Sequence, residues 1–156
     1  MPNIAWGWIY SANASGSNRV DAIDFQIDSD TILSGYRLWG VRSVNSTTFL
    51  VTMSLYREHR LIANKTGTYP TNSSVKTFEV HFSQEIAISP NITYTAAVRI
   101  VTSASSYAHN DGMSRASCSG VSVNFTTSSM DSNGSRQQFG QIPSLILLSK
   151  GSCAKR

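Results

Sequence analysis

Thr48-Phe49-Leu50-Val51-Thr52-Met53-Ser54-Leu55 is the clearest segment of period-two alternation in this chain of 156 residues. Successive side chains of a strand point to opposite faces, so Phe49, Val51, Met53 and Leu55 share one face while Thr48, Thr52 and Ser54 share the other. The same spacing of apolar residues recurs in Ile23, Phe25 and Ile27, in Phe78, Val80 and Phe82, in Tyr94, Ala96, Val98 and Ile100, and in Val121, Val123 and Phe125. A helical period never persists. The sequence therefore predicts an all-β fold, an antiparallel β-sandwich of two packed sheets.

The connections between these strands are predicted by polar residues, glycine and proline. Arg57-Glu58-His59-Arg60 predicts a hairpin, and residues 66–72, which contain Gly67 and Pro70, predict a turn-rich loop. Two segments rich in Ser and Gly, residues 102–120 and 126–140, predict long loops. Loops of this length in a compact sandwich are typically functional or mobile.

Two strands carry unusual residues. The predicted strand 31–41 contains Gly35 and Gly40, which indicate a bulge, a bend or a close approach to the backbone. Residues 142–148 are apolar on both faces, as expected for a central strand or a strand at a sheet junction. Pro143 must lie near the start of that strand, because its missing N–H then breaks no ladder bond.

Length and composition indicate a single domain, which we place at residues 3–149, followed by a linker-like or tag-like tail at 150–156. The net charge is +4, yet Lys150, Lys155 and Arg156 in the tail supply three of the cations. Nucleic-acid binding needs a clustered basic stripe, so we expect no nucleic-acid partner. We also expect no membrane insertion, because no apolar run approaches about 20 residues. Two cysteines provide no disulfide framework.

No spacing of catalytic or metal-binding residues stands out, and we expect no catalytic residue, metal or cofactor. His59 fits a hairpin and His81 the solvent face of a strand. His109-Asn110-Asp111-Gly112 fits a tight turn, although His109 with Asp111 or Cys118 could also activate a nucleophile. Asp28 and Asp30 could contribute to a calcium site, but they lack the spacing of a calcium loop and fit solvated acids at a strand end.

Seven Asn-x-Ser/Thr sequons leave a different class of function open. They begin at Asn13, Asn45, Asn64, Asn72, Asn91, Asn124 and Asn133. In a secreted protein such sites accept glycans, which would suit a carbohydrate-binding β-sandwich. Two of the sequons border or lie within predicted strands, and the chain lacks a signal peptide, so a cytoplasmic protein with unused sequons is the interpretation we favour.

Several motifs resemble one known family. These are Asp24-Phe25-Gln26-Ile27-Asp28, Gly35-Tyr36-Arg37-Leu38-Trp39-Gly40, Pro90-Asn91-Ile92-Thr93-Tyr94-Thr95-Ala96, and Phe139-Gly140-Gln141-Ile142-Pro143 before the last apolar run. The set is similar to the PHR domain, which is named for the PAM/Highwire/RPM ubiquitin ligases and also follows the BTB and BACK regions of some BTB proteins. The resemblance extends from about residue 22 to residue 148.

The resemblance implies a protein-interaction domain whose loops gather at one end of the sandwich. Carried onto this chain, the loop positions of that recognition surface are 107–115 and 128–138, which include Tyr107, His109, Asn110 and Arg115. Tyr36 and Trp39 join the predicted surface because aromatic residues beside flexible Gly/Ser loops are of the type that anchors a binding patch. The motif glycines Gly35, Gly40 and Gly140 are implied to lie near the same end, and substitution would strain the backbone wherever φ is positive.

Two parent proteins fit such a domain. Trp6-Gly7-Trp8-Ile9-Tyr10-Ser11 resembles the ligase version, which implies a RING-type E3 ubiquitin ligase that limits axon and synapse growth by targeting signalling kinases. The alternative is a BTB protein that serves as an adaptor of cullin ligases. Either parent implies protein partners, a cytoplasmic and for the ligase neuronal location, and a domain that is itself monomeric.

Overall fold

The computed structural model describes residues 3–5, 9–10, 19–41, 46–102, 107–108, 114–118, 120–132 and 142–148. These residues form strands and no helix, as the alternation of the sequence predicts. In chain order the strands are β1 (Asn3–Ala5), β2 (Ile9–Tyr10), β3 (Asp21–Ile27), β4 (Thr31–Trp39), β5 (Ser46–Arg57), β6 (Arg60–Asn72), β7 (Thr77–Ile88), β8 (Tyr94–Val101), β9 (Tyr107–Ala108), β10 (Arg115–Cys118), β11 (Val121–Thr127) and β12 (Ser144–Leu148).

Two antiparallel sheets pack face to face, which confirms the predicted sandwich. One sheet has the order β1-β12-β4-β7, and the other has the order β10-β11-β3-β8-β5-β6. β2 and β9 form a separate two-stranded ladder. The inward faces of the two sheets form one core in which Phe25 stacks on Tyr94 and Tyr36 meets Phe82 edge to face. Burial of this apolar surface is the main stabilising contribution to the fold.

The β5–β6 hairpin confirms one prediction and corrects another. Glu58 and His59 form its tip with φ values of 48° and 66°, the left-handed conformation of a type I′ turn. Residues 66–72, predicted as a loop, are instead the second half of β6 and pair with β5 from Thr52 to Ser46. Pro70 is accommodated because β6 is the edge strand of its sheet, where one side of the backbone needs no ladder partner.

A bulge in β4 explains Gly35. The register of β4 against β7 shifts between Leu33 and Gly35, so Leu33, Tyr36 and Leu38 all face the core. A Cβ on Gly35 would lie 1.9 Å from the carbonyl oxygen of Val80. Close approach of the neighbouring strand is therefore what requires glycine here.

The apolar run at the end of the chain forms a central strand, as predicted. β12 lies between β1 and β4, and its first four residues are buried. Pro143 immediately precedes the strand and leaves the ladder intact.

The strand directions separate two ends of the sandwich. At the loop end, β3, β7 and β12 begin while β4, β8 and β11 finish, and both predicted loops start or finish there. At the opposite turn end, short connections join β3 to β4, β5 to β6 and β7 to β8. β9 and β10 lie within the first predicted loop, which is therefore partly regular structure.

Candidate functional site: the loop end and its supports

The segment after β11 is fastened to the start of β3. Asp131 accepts a hydrogen bond on Oδ1 from the backbone N–H of Ala22 at 2.9 Å. Val20 donates its N–H to the Ser132 hydroxyl at 2.7 Å, and Ser132 returns its own N–H to the Val20 carbonyl at 2.9 Å. These bonds fix the base of the second predicted loop on the six-stranded sheet.

A second support lies where β4, β6 and β7 meet. Gly40 donates its N–H to the carbonyl of Lys76 at 2.7 Å, and Val41 donates to the buried hydroxyl of Thr71 at 3.2 Å. A Cβ on Gly40 would come within 2.6 Å of both the Thr71 hydroxyl and the Val75 carbonyl. Gly40 is therefore required by close packing at the loop end, as the family resemblance implies.

Positive φ does not account for the two motif glycines that the structure describes. Neither Gly35 nor Gly40 has a positive φ; among the described glycines, Gly120 alone has one, at 79°. Gly35 also lies in the middle of β4 opposite His81 rather than at the loop end. Gly140 falls outside the described residues.

Two of the six predicted recognition residues are buried. Tyr36 and Trp39 expose 0% and 2% of their surface, so neither supplies an anchor on the free surface. Tyr36 faces the core because of the bulge, and its hydroxyl donates to the Ser54 carbonyl in the opposite sheet at 2.6 Å. Burial raises the pKa of Tyr36 well above its ordinary value.

Of the other four predicted recognition residues, the structure describes Arg115 and Tyr107. Arg115 is exposed and opens β10 opposite Asn124 of β11. Asn124 in turn pairs with Gln26, next to the finish of β3, so Arg115 lies nearer the turn end than the loop end. Tyr107 pairs with Tyr10 in the two-stranded ladder. His109 and Asn110 fall outside the described residues, as does Asp111. Among the described residues, the segment 128–132 is the part of the predicted surface that the structure fastens at the loop end.

A polar network on the outer face of the four-stranded sheet was not predicted as a unit. The Arg37 guanidinium contacts Glu79 Oε2 at 2.7 Å, Glu79 Oε1 lies 3.0 Å from His81 Nε2, and His81 Nδ1 lies 2.7 Å from the Ser34 hydroxyl. His81 lies on the solvent face of its strand, as predicted. The hydrogen bond from Arg37 is the main cause that lowers the pKa of Glu79.

This network joins β4 to β7. Both carboxylate oxygens of Glu79 are engaged, one by Arg37 and one by His81, so its negative charge is already shared by two partners. The chain Ser34–His81–Glu79 has the order of groups found in nucleophilic triads, but here it lies on an open sheet face and serves as a cross-strand ion-pair network.

The acids at the turn end are also held by local bonds. Asp28 Oδ1 accepts the backbone N–H of Ser122 at 2.7 Å, and this bond is the main cause that lowers the pKa of Asp28. Across the described residues, no group of three His, Cys, Asp or Glu side chains is arranged to hold a metal ion. No helix able to cross a membrane occurs in the same described ranges.

Comparison with known proteins gives a consistent result. A family model described as "PHR domain" matches residues 5–148. The "BTB/POZ domain-containing protein 3" of Homo sapiens and that of Mus musculus are each 34% identical to this chain over 128 residues. The "BTB/POZ domain-containing protein 6-A" of Danio rerio is 31% identical over 128 residues. The matched region is 82% of this chain but 24% of each relative, so the chain corresponds to about a quarter of those proteins.

Proposed function

Because this chain belongs to the PHR domain family, we propose that it is a protein-interaction domain of a BTB-type protein and that its loop end binds the partner. The single observation that carries the proposal is the identity of 34% over 128 residues with BTB/POZ domain-containing protein 3. These relatives support the BTB alternative better than the PAM/Highwire/RPM ligase interpretation. In the proposed setting the domain recruits proteins in the cytoplasm for a cullin ligase, while a BTB region outside the matched part supplies dimerisation.

The loop end is suited to recognition because its base is held in place before any partner arrives. The hydrogen bonds of Asp131 and Ser132 hold these two residues against the start of β3, and the Gly40–Lys76 bond holds Gly40 directly after β4. A preordered surface loses less conformational entropy on binding, which favours affinity. A rigid sandwich that positions variable loops is a common arrangement for binding sites.

Proximity labelling tests the proposal directly. The domain, fused to a biotin ligase, is compared with a variant of the recognition residues predicted in the first loop, here called the loop-end variant. In it, Arg115→Glu is combined with alanine at Tyr107, His109 and Asn110. Arg60→Glu, at the exposed hairpin tip of the turn end, is the matched control. We expect the loop-end variant to lose its labelled partners and the control to keep them.

Cullin recruitment is tested separately in the intact parent protein. Co-purification of a cullin should survive the loop-end variant, because the proposed adaptor contact lies outside this domain, while the substrate-like partners are lost. An unchanged partner set in the loop-end variant would argue against the loop end as the binding surface.

A further inference from the structure

The outer face of the six-stranded sheet carries a row of cross-strand pairs from β5 and β8 that combines exposed apolar side chains with a groove and an exposed arginine. The pairs are Leu50 with Val101, Thr52 with Arg99, Ser54 with Ala97, and Tyr56 with Thr95. We call this set the β5–β8 stripe. Its first pair, near the loop end, is apolar and exposed, with 41% of Leu50 and 39% of Val101 accessible.

A groove lies in the middle of the stripe. It has a volume of about 140 Å³ and is lined by Thr52, Ser54 and Tyr56 of β5, by Ala97 and Arg99 of β8, and by Val20. Ser54 and Ala97 are small and directly opposite each other, so they form a depression between the longer side chains of Tyr56 and Arg99. Beneath it, the Ser54 carbonyl accepts the hydroxyl of Tyr36, which fixes the floor from the core side.

Arg99 supplies the charge of this groove. Its side chain is exposed and forms no ion pair with any residue in the described ranges. Two acids beside the stripe have hydrogen-bond partners of their own. Asp24, opposite Thr95 in the β3–β8 ladder, accepts the Thr95 hydroxyl at 2.6 Å, and Asp131 accepts the N–H of Ala22, which lies opposite Ala97, at 2.9 Å. The groove therefore offers an accessible guanidinium to an anionic group.

The surroundings of Arg99 indicate what kind of anion fits. A nucleic acid would need a run of cations, whereas Arg99 is the one charged residue among the described residues that line the groove. The apolar pair lies one pair away along the strands, about 7 Å from the Arg99 pair at the usual rise of two residues. Arginine and tyrosine are enriched among the residues that dominate binding at protein interfaces. Exposed apolar side chains such as Leu50 and Val101 add area that a partner can bury.

We propose that the β5–β8 stripe binds an extended segment of a partner protein that presents an acidic and an apolar side chain two residues apart. The carboxylate pairs with Arg99, and the apolar side chain covers Leu50 and Val101. An extended segment places side chains i and i+2 on one face at about the spacing of the two pairs. The stripe lies on the outer sheet face and is separate from the loops of the loop end, so it is a second contact region on the same domain.

A random-peptide phage library selected on the purified domain provides the probe. We expect enriched peptides to contain Asp or Glu two residues from Leu, Ile, Val or Phe. Fluorescence polarisation with an enriched peptide should show at least a tenfold loss of affinity for Arg99→Glu and a smaller loss for Leu50→Ala. Arg60→Glu changes the same charge at an exposed site outside the stripe and should bind normally.

A charge swap separates direct pairing from a general effect of charge. The peptide in which lysine replaces the acidic residue should bind Arg99→Glu better than it binds the unaltered domain. The inference fails if the selected peptides lack the acidic residue, if no peptide is enriched, or if Arg99→Glu binds the unaltered peptide as tightly as the parent domain does. Peptides that bind Arg99→Glu normally but lose binding to the loop-end variant would overturn this inference and leave the loop-end proposal standing.

Discussion

Gly35→Ala is the substitution that most directly tests how the bulge of β4 is packed. A Cβ at this position would lie 1.9 Å from the Val80 carbonyl oxygen and 2.8 Å from the His81 Cα. Heavy atoms normally separate to about 3.5 Å, so β7 would have to move by more than about 1 Å. Both obstructing atoms belong to the backbone, and rotation of a side chain cannot remove the clash.

The expected cost follows from that displacement. Overpacking of a buried site costs about 1–3 kcal/mol, and weakening two ladder hydrogen bonds adds about 1 kcal/mol each. We therefore expect Gly35→Ala to lower the free energy of unfolding by about 3–5 kcal/mol, against a total of about 5–15 kcal/mol for a typical domain. For a chain of this size, this corresponds to a fall in Tm of at least about 6 °C.

Urea unfolding followed by tryptophan fluorescence measures the effect, with Gly67→Ala as the matched control. The three heavy atoms nearest to a Cβ on Gly67 all belong to the side chain of Tyr69, the closest at 3.2 Å, and that side chain can move. The control should stay within about 1 kcal/mol of the parent domain. A loss of less than about 1 kcal/mol for Gly35→Ala at an unchanged m value would refute the reasoning from backbone contact.

Substitutions at three further positions test other parts of the structure by the same unfolding measurement. Tyr36→Phe removes the hydroxyl that donates to the Ser54 carbonyl at 2.6 Å and should cost about 1–2 kcal/mol, because a buried acceptor loses its partner; a neutral result would contradict that bond. Glu79→Gln should cost about 0.5 kcal/mol or less at neutral pH, because the Glu79 and Arg37 side chains are 40% and 30% exposed and solvent screens the pair. The pKa of Glu79 is lowered in the folded state, so the ionised carboxylate stabilises the fold above the ordinary carboxyl pKa, and this stabilisation is lost as pH falls through the lowered pKa. The difference in free energy of unfolding between the parent domain and Glu79→Gln should therefore shrink between about pH 6 and about pH 3. A difference that grows in this range would be inconsistent with the ion pair. Asn91 has a φ of 62°, so Asn91→Gly should be close to neutral while Asn91→Val should lose about 1–2 kcal/mol; equal stability of the two variants would argue against a left-handed residue at this turn.

Strands were predictable where one face alone is buried. In β5 and β11 the apolar residues alternate without interruption, and the sequence reports the inward face directly. In β4 the bulge changes the parity, so Leu33 and Tyr36 lie three residues apart and still share the core. Period-two alternation therefore does not identify the buried residues of β4, although Gly35 among apolar residues indicated a bulge.

Long-range pairing decided the features that local sequence could not predict. Residues 66–72 contain turn-forming residues, yet pairing with β5 and the contact of Tyr69 with Phe78, at 5.6 Å between ring centres, hold them in a strand. The ion pair between Arg37 and Glu79 depends on the register of two strands some forty residues apart. Tyr36 and Trp39 were assigned to the surface because composition does not distinguish a buried aromatic residue from an exposed one.

The bulge of β4 also connects the core to the face on which Arg99 lies. Because the bulge turns Tyr36 inward, the Tyr36 hydroxyl reaches the Ser54 carbonyl in the six-stranded sheet. On the outer face of the six-stranded sheet, Ser54 and Ala97 form the floor of the groove. The floor is thus fixed by a bond that crosses the whole sandwich. Charged residues make up only 14% of the chain. The Arg99 guanidinium, which forms no ion pair within the described ranges, therefore meets few neighbouring charges that would compensate it. A contact with these properties gains specificity from one ion pair in a defined position, because the surrounding face is hydroxyl-rich and attracts neither sign of charge strongly.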